Sequence, residues 1–167
     1  MFELKPLSPE AIPAALVKAE RYRLLNEPDQ AESICEDILA SDPGHHEARV
    51  MLLLAVTDRF PQGDGQLVSR AQSLAAQLDT PYERAYFGGL VAERRARALL
   101  TSGGPSRLLN AGDWLRDAMR LYERAEAEKP AGNDDARLRW NACARTLNAH
   151  GGLVQADEEP VLPVMLE

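Results

Sequence analysis

The sequence predicts an all-α protein, and more specifically an α-α superhelix of about seven antiparallel helices. Two observations support the all-α prediction. The 167 residues are rich in Ala and Leu, while aromatic residues make up only 5%. This composition suits helices that pack through small side chains better than a β-sandwich, which favours β-branched and aromatic residues. Apolar residues also recur at helical spacing, as in the stripe of Ala31, Ile34, Cys35, Ile38 and Leu39. No segment alternates with a period of two for long enough to require a sheet.

Prolines and glycines divide the chain into seven predicted helices. Ser8-Pro9 begins the first helix, with Ser as the N-cap and Pro at the first helical position. Thr80-Pro81-Tyr82-Glu83 predicts a capping box at the start of the fifth, because Thr and Glu are three residues apart. The predicted helices span about residues 8–26, 28–41, 45–59, 66–78, 81–100, 111–129 and 133–150. A separate short turn is predicted at Leu108–Leu109.

Three regions follow from this division. Residues 1–7 are interpreted as an N-terminal extension and residues 8–150 as one helical domain. Residues 151–167 form a predicted extended tail, acidic at Asp157–Glu159 and then apolar and spaced by proline from Pro160 to Leu166. Two hypotheses remain open for the tail: it packs into a groove with its acidic residues near Arg137 or Arg145, or it is disordered.

Composition also excludes several classes of protein. The net charge of -7 argues against a nucleic-acid partner, which needs clustered cations. The arginines at positions 94, 95 and 97 share a predicted helix with two glutamates and are interpreted as a solvated mixed-charge face. The longest apolar stretch, Val50–Val56, is far shorter than the ~20 residues of a membrane helix, and the N-terminus lacks an apolar signal-peptide run. We therefore expect a cytoplasmic protein without a membrane partner.

A repeated spacing links three of the predicted helices. Residues at offsets 0, 4, 7 and 12 form two full copies, and a third copy is partial, with Pro81 arriving two residues early. The full copies are Ala31, Cys35, Ile38 and Pro43, and Ala118, Tyr122, Ala125 and Pro130; the partial copy is Ala71, Ala75 and Leu78.

This pattern resembles the second-helix signature of the tetratricopeptide repeat superfamily, and Ala15, Ala19 and Tyr22 match its first-helix signature. Phe87-Gly88 followed by Val91 matches the first-helix signature again. The family repeat is 34 residues, whereas Ala31 to Ala71 is 40 residues and Ala71 to Ala118 is 47. The resemblance implies a divergent solenoid of three repeats, with the last helix, which carries the bulky Trp140, as a cap.

No residue cluster predicts catalysis, a metal site or a cofactor. His45-His46-Glu47 is interpreted as the start of a helix, because adjacent histidines on a helix point in different directions. Cys143 and His150 share a helical face but are about 10 Å apart, too far for direct proton transfer. Both Cys35 and Cys143 are predicted to be buried free thiols. We therefore expect no enzyme activity.

The resemblance instead implies a protein–protein interaction module, an adaptor or scaffold that binds a peptide or partner helix in a concave groove. The family's inward-facing positions fall on twelve residues of this chain. They are Leu16, Glu20, Arg23, Glu47, Val50, Leu54, Tyr82, Ala85, Gly89, Arg137, Asn141 and Arg145. The carboxylate clamp of one subclass is not expected, because its Lys and Asn positions are occupied by Leu16 and Glu20. Two alternatives remain: a self-associating structural protein that forms a homodimer through the tail, and, less favoured, a helical enzyme or small-ligand sensor.

Overall fold

The computed structural model describes residues 2–63 and 65–151, which form seven α-helices and no strand. The helices are α1 Ile12–Leu24, α2 Pro28–Ser41, α3 His46–Asp58, α4 Gly65–Ala76, α5 Pro81–Ser102, α6 Pro105–Ala127 and α7 Asp135–Ala149. Two short 3₁₀ turns, Pro9–Ala11 and Phe60–Gln62, precede α1 and α4. The all-α prediction is confirmed. The predicted tail falls almost wholly outside the described residues.

Local sequence signals explain several helix starts. The Thr80 hydroxyl accepts a hydrogen bond from the Glu83 amide at 3.1 Å, and the Glu83 carboxylate accepts one from the Thr80 amide at 3.1 Å. The predicted capping box is therefore present. At the start of α3 the His45 ring accepts a hydrogen bond from the Ala48 amide at 3.2 Å, in agreement with the helix-start interpretation of this histidine pair.

The structure corrects the prediction at two helix starts. The helix α6 begins at Pro105, six residues before the predicted start, and it includes Leu108–Leu109, for which the sequence predicts a separate turn. Gly103 and Gly104 have φ angles of 68° and 93°, so the break between α5 and α6 needs only these two residues. Ser8 makes no side-chain capping bond, and a 3₁₀ turn follows it instead of a full α-helical turn.

Each helix packs against the next one along the chain, and α3 also contacts both α1 and α5. The residues of the repeated spacing lie in these helix contacts. Apart from the prolines, each of them is at most 2% exposed. These residues are Ala31, Cys35, Ile38, Ala71, Ala75, Leu78, Ala118, Tyr122 and Ala125. The repeat therefore marks the faces on which the even-numbered helices contact their neighbours.

The helices α5 and α6 approach each other closely at Gly89. A Cβ atom on Gly89 would lie 2.7 Å from the Tyr122 ring, closer than van der Waals contact allows. The Tyr122 side chain is fully buried, and its hydroxyl donates a hydrogen bond to the Glu93 carboxylate at 2.7 Å. The ring is therefore held in place, and only glycine fits opposite it.

Adjacent glycines in α5 provide a matched pair of stability tests. We expect Gly89→Ala to lower the free energy of unfolding by about 1–3 kcal/mol, because the added methyl group overpacks against Tyr122. We expect Gly88→Ala to raise it by about 0.5–1 kcal/mol, because its Cβ would meet Leu121 at an ordinary 3.6 Å and alanine favours the helix. Urea unfolding of both variants measures this. Equal gains in both variants would contradict the close approach.

Candidate functional site

A groove lies between α1, α3 and α5, the three odd-numbered helices that are neighbours in the fold. Its volume is about 400 Å³. Its lining combines apolar and acidic side chains with one histidine. The lining residues are Leu16, Val17, Glu20, His46, Glu47, Val50, Met51, Glu83 and Phe87. We call this site the α1–α3–α5 groove.

The floor of the groove is apolar and open to solvent. Leu16 and Val17 come from α1, Val50 and Met51 from α3, and Phe87 from α5. Val17 is 60% exposed although it lies beside the other four. When a ligand covers apolar side chains on an open surface, each Å² removed from water contributes roughly 25 cal/mol of favourable free energy. The floor can therefore hold a hydrophobic ligand surface.

The rim of the groove carries negative charge. Glu20 and Glu47 are exposed, and no described cation forms an ion pair with either of them. Glu83 contacts His46, whose two ring nitrogens lie 2.9 Å from Glu83 and 3.1 Å from Asp79. The capping box holds Glu83 in position at the start of α5. The groove thus presents two unpaired carboxylates beside an apolar floor.

An ion-pair network next to the groove fixes the three helices relative to one another. Asp58 on α3 accepts a hydrogen bond from Arg23 on α1 at 2.8 Å, and it also pairs with Arg94 on α5. Arg94 further donates to the Thr57 hydroxyl at 2.7 Å. Burial lowers the pKa of Arg94, and the neighbouring Asp58 carboxylate opposes that shift. Because a single carboxylate bridges both partners, the spacing of the groove walls is set by charge as well as by packing.

Four of the twelve predicted groove residues line this groove: Leu16, Glu20, Glu47 and Val50. Of the other two residues predicted from α1 and α3, Arg23 contacts a lining residue and Leu54 lies at the core. Arg23 donates to the Met51 sulfur at 3.7 Å, and Leu54 packs against the core formed by the first four helices and α5.

The three residues predicted from α5 lie elsewhere. Ala85 and Gly89 are buried in the packing of α5 against α6. Tyr82 stacks on Tyr86 and accepts a hydrogen bond from Asn133 at 3.0 Å, so it joins α5 to the segment before α7. These positions serve helix packing and not the α1–α3–α5 groove.

The residues predicted from α7 are also outside the groove. Arg137 forms ion pairs with Glu126 and Asp134, Asn141 is half-buried, and Arg145 is exposed. The helix α7 packs mainly against α6, whereas the groove is built from α1, α3 and α5. The structure therefore does not bring the α7 positions together with the groove residues of α1 and α3.

Sequence reasoning missed five lining residues: Val17, His46, Met51, Glu83 and Phe87. In α5 the predicted Tyr82 and the lining residue Glu83 differ by one position, which is about 100° around the helix. The sequence contains a signal for the packing face of α5, because the small residues Ala85, Gly89, Ala92 and Ala96 form a stripe at the interface with α6. The apolar pairs Leu16-Val17 and Val50-Met51 were a second signal.

The cysteines and His150 are considered as reactive groups in the sequence. Burial raises the pKa of both the Cys35 and the Cys143 thiol to about 12. The ring of His150 lies 2.9 Å from the Thr146 carbonyl, at the end of α7. Within residues 2–63 and 65–151, no three His, Cys, Asp or Glu side chains are arranged to hold a metal ion. In the same part of the chain, no helix combines the length and the apolar character needed to cross a membrane.

The chain matches no protein-family model, no curated protein sequence and no solved structure. The tetratricopeptide resemblance accordingly rests on the residues of this chain alone. The groove is described below by its own chemistry.

The raised thiol pKa values predict low cysteine reactivity. A thiol with a pKa of about 12 is ionised at pH 8 in roughly one molecule in ten thousand, and only the thiolate reacts. We expect iodoacetamide to leave Cys35 and Cys143 unmodified in the folded protein and to modify both in 8 M urea. Mass spectrometry measures the added mass. Rapid modification of the folded protein would mean that the helices carrying these thiols open readily.

Proposed function

We propose that this protein is an interaction module that binds a peptide or partner helix in the α1–α3–α5 groove. One observation carries the proposal: an apolar floor is open to solvent beside the unpaired carboxylates of Glu20 and Glu47. An amphipathic helix or an extended peptide with apolar anchors can cover such a floor. Covering it removes Val17 and its neighbours from water, which supplies the binding energy.

The charge of the rim selects among peptides. Carboxylates at the rim attract a ligand in which Lys or Arg flanks the apolar anchors, and they repel an acidic ligand. The net charge of -7 adds long-range attraction for the same cationic partner. We therefore propose a basic and apolar peptide as the ligand, without a cofactor.

We further infer that the helices are arranged as a tetratricopeptide-like solenoid with α7 as its cap. Contacts between successive helices, together with contacts from α1 to α3 and from α3 to α5, support this arrangement. Two large core clusters support it as well, because one spans α1 to α5 and the other spans α5 to α7. In such arrays each unit depends mainly on its neighbours for stability.

Peptide selection tests the proposed ligand. We expect a random displayed library panned on the intact protein to enrich peptides with Lys or Arg beside apolar residues. Val50→Asp should weaken the selected peptides at least tenfold, about 1.4 kcal/mol, because it places a charge on the apolar floor. Glu20→Lys/Glu47→Lys should also weaken them and reduce the salt dependence of binding. Fluorescence anisotropy measures both effects.

The matched control is Leu138→Asp, which alters a 65% exposed leucine on α7 outside the groove. It should change the affinity by less than twofold. Enrichment of acidic peptides would contradict the proposed ligand. If Val50→Asp and Leu138→Asp had equal effects while both proteins stayed helical, the groove would not be the binding site.

Hydrogen exchange tests the solenoid arrangement. Ile38→Ala and Leu115→Ala each remove a fully buried side chain, at a cost of about 2–5 kcal/mol. In a solenoid, Ile38→Ala should speed amide exchange in α1 to α3 and leave α6 and α7 within about twofold of the wild type. Leu115→Ala should do the reverse. Uniform acceleration in both variants would instead indicate one cooperative unit.

A further inference from the structure

A second surface depression lies between α4 and α6, above α5, and none of the groove residues belongs to it. Its volume is about 720 Å³. Small and apolar residues form its floor: Ala75, Ala76, Gly88, Ala92 and Leu121. We call this site the α4–α6 cleft.

The charge of this cleft is opposite to that of the groove. Arg84, Arg120 and Arg124 line it, against one carboxylate, Asp117, which pairs with Arg120. Arg84 donates to the backbone carbonyls of Leu78 and Asp79 at 2.8 and 2.9 Å, so no carboxylate neutralises it there. No carboxylate of the described residues pairs with Arg124. The cleft therefore suits a ligand that is both anionic and apolar.

Residues 152–167, which follow α7, have this combination. Asp157, Glu158 and Glu159 are consecutive, and Pro160 to Leu166 is apolar throughout. We propose that this segment docks in the α4–α6 cleft of its own chain. Its acidic residues pair with Arg120 and Arg124, and its apolar residues cover the alanine and glycine floor.

The position of the end of α7 brings the segment within reach. Arg137 and Trp140 on α7 contact Glu126 and Glu123 on α6, so the two helices are antiparallel. Continuing this pairing puts Ala149 at the level of Trp114 along α6, with α6 between it and the cleft. A path around α6 from the end of α7 to Arg120 and Arg124 is roughly 20 Å long. Six extended residues span about this distance, and six positions separate Gly151 from Asp157.

The order of residues around α6 matches the order along the segment. At 100° per residue, the surface of α6 passes from Glu126 and Glu123, which contact α7, to Arg120 and Arg124, and then to Leu121 on the cleft floor. A chain leaving α7 meets the arginines before it meets the floor. In the segment, the acidic residues Asp157–Glu159 precede the apolar run from Pro160 to Leu166.

The negative charge of the α1–α3–α5 groove makes it a poor docking site for this acidic segment. The α1–α3–α5 groove has Glu20, Glu47 and Glu83 in its lining, which would repel three consecutive acidic residues. Arg137 on α7 already pairs with two carboxylates, Glu126 and Asp134, whereas Arg120 pairs with one and Arg124 with none of the described residues. The cleft is therefore a better electrostatic match for the segment than either the groove or Arg137.

Cross-linking in the full chain tests the proposal. We would place one cysteine in the segment, Val164→Cys, and a second either in the cleft, Ala76→Cys, or in the groove, Val17→Cys. A short bismaleimide is added at low micromolar protein concentration, and peptide mapping by mass spectrometry assigns each cross-link. We expect the cleft pair to react within one chain at least tenfold faster than the groove pair.

Charge reversal separates docking from chance contact. Arg120→Glu/Arg124→Glu should remove most of the preference for the cleft, and adding Asp157→Lys/Glu158→Lys/Glu159→Lys should restore it. Both arginines are exposed, so we expect the reversed proteins to keep their helicity. Three results would overturn the proposal: equal rates for the cleft and groove pairs, insensitivity of the cleft rate to charge, or cross-links mainly between two chains. The last would make a second copy the occupant.

Discussion

Glu93 is 1% exposed and lies where α5, α6 and α7 meet. It accepts hydrogen bonds from Tyr122 on α6 and from Arg139 on α7, at 2.7 and 3.3 Å, and it pairs with Arg97 on its own helix at 2.6 Å. A buried carboxylate is tolerated only when its lone pairs are satisfied, and removing one partner of such a pair costs about 3–5 kcal/mol. These contacts restrict how α5, α6 and α7 can pack together. Burial at this junction also raises the pKa of the Tyr122 hydroxyl.

The same arrangement recurs at two other helix junctions. Asp58 joins α1, α3 and α5, and Glu32 receives Arg59 from the end of α3 at 2.7 Å and Arg70 from α4. In each case one carboxylate binds cations from different helices, which specifies the helix register. Small residues alone specify register weakly, because a stripe of alanines can slide past another with little change in packing. The carboxylates therefore complement the close packing of the small residues.

Much of the fold could be predicted from the sequence because its signals are local. Proline positions, the capping box at Thr80 and the amphipathic stripes gave the helices, and the repeated spacing marked the buried faces of the even-numbered helices. The predicted start of α6 is wrong because the prediction assigns Leu108–Leu109 to a separate turn, whereas Pro105 occupies the first position of the helix that contains this segment. The groove residues of α5 were not identified because they depend on the rotation of α5, which the packing of its small-residue stripe against α6 sets. Gly89 faces Tyr122, and that contact turns Glu83 and Phe87 toward α1 and α3.

The first turn of α5 links the two surfaces of opposite charge. Glu83 belongs to the acidic groove, and Arg84, the next residue, belongs to the basic cleft, because 100° of rotation separates them. The capping box fixes Glu83, while Arg84 binds the carbonyls just before the helix. His46 and Arg49 on α3 contact Asp79 in the same α4–α5 connection. Since one rigid turn positions both side chains, the charge separation between groove and cleft is built into the start of a single helix.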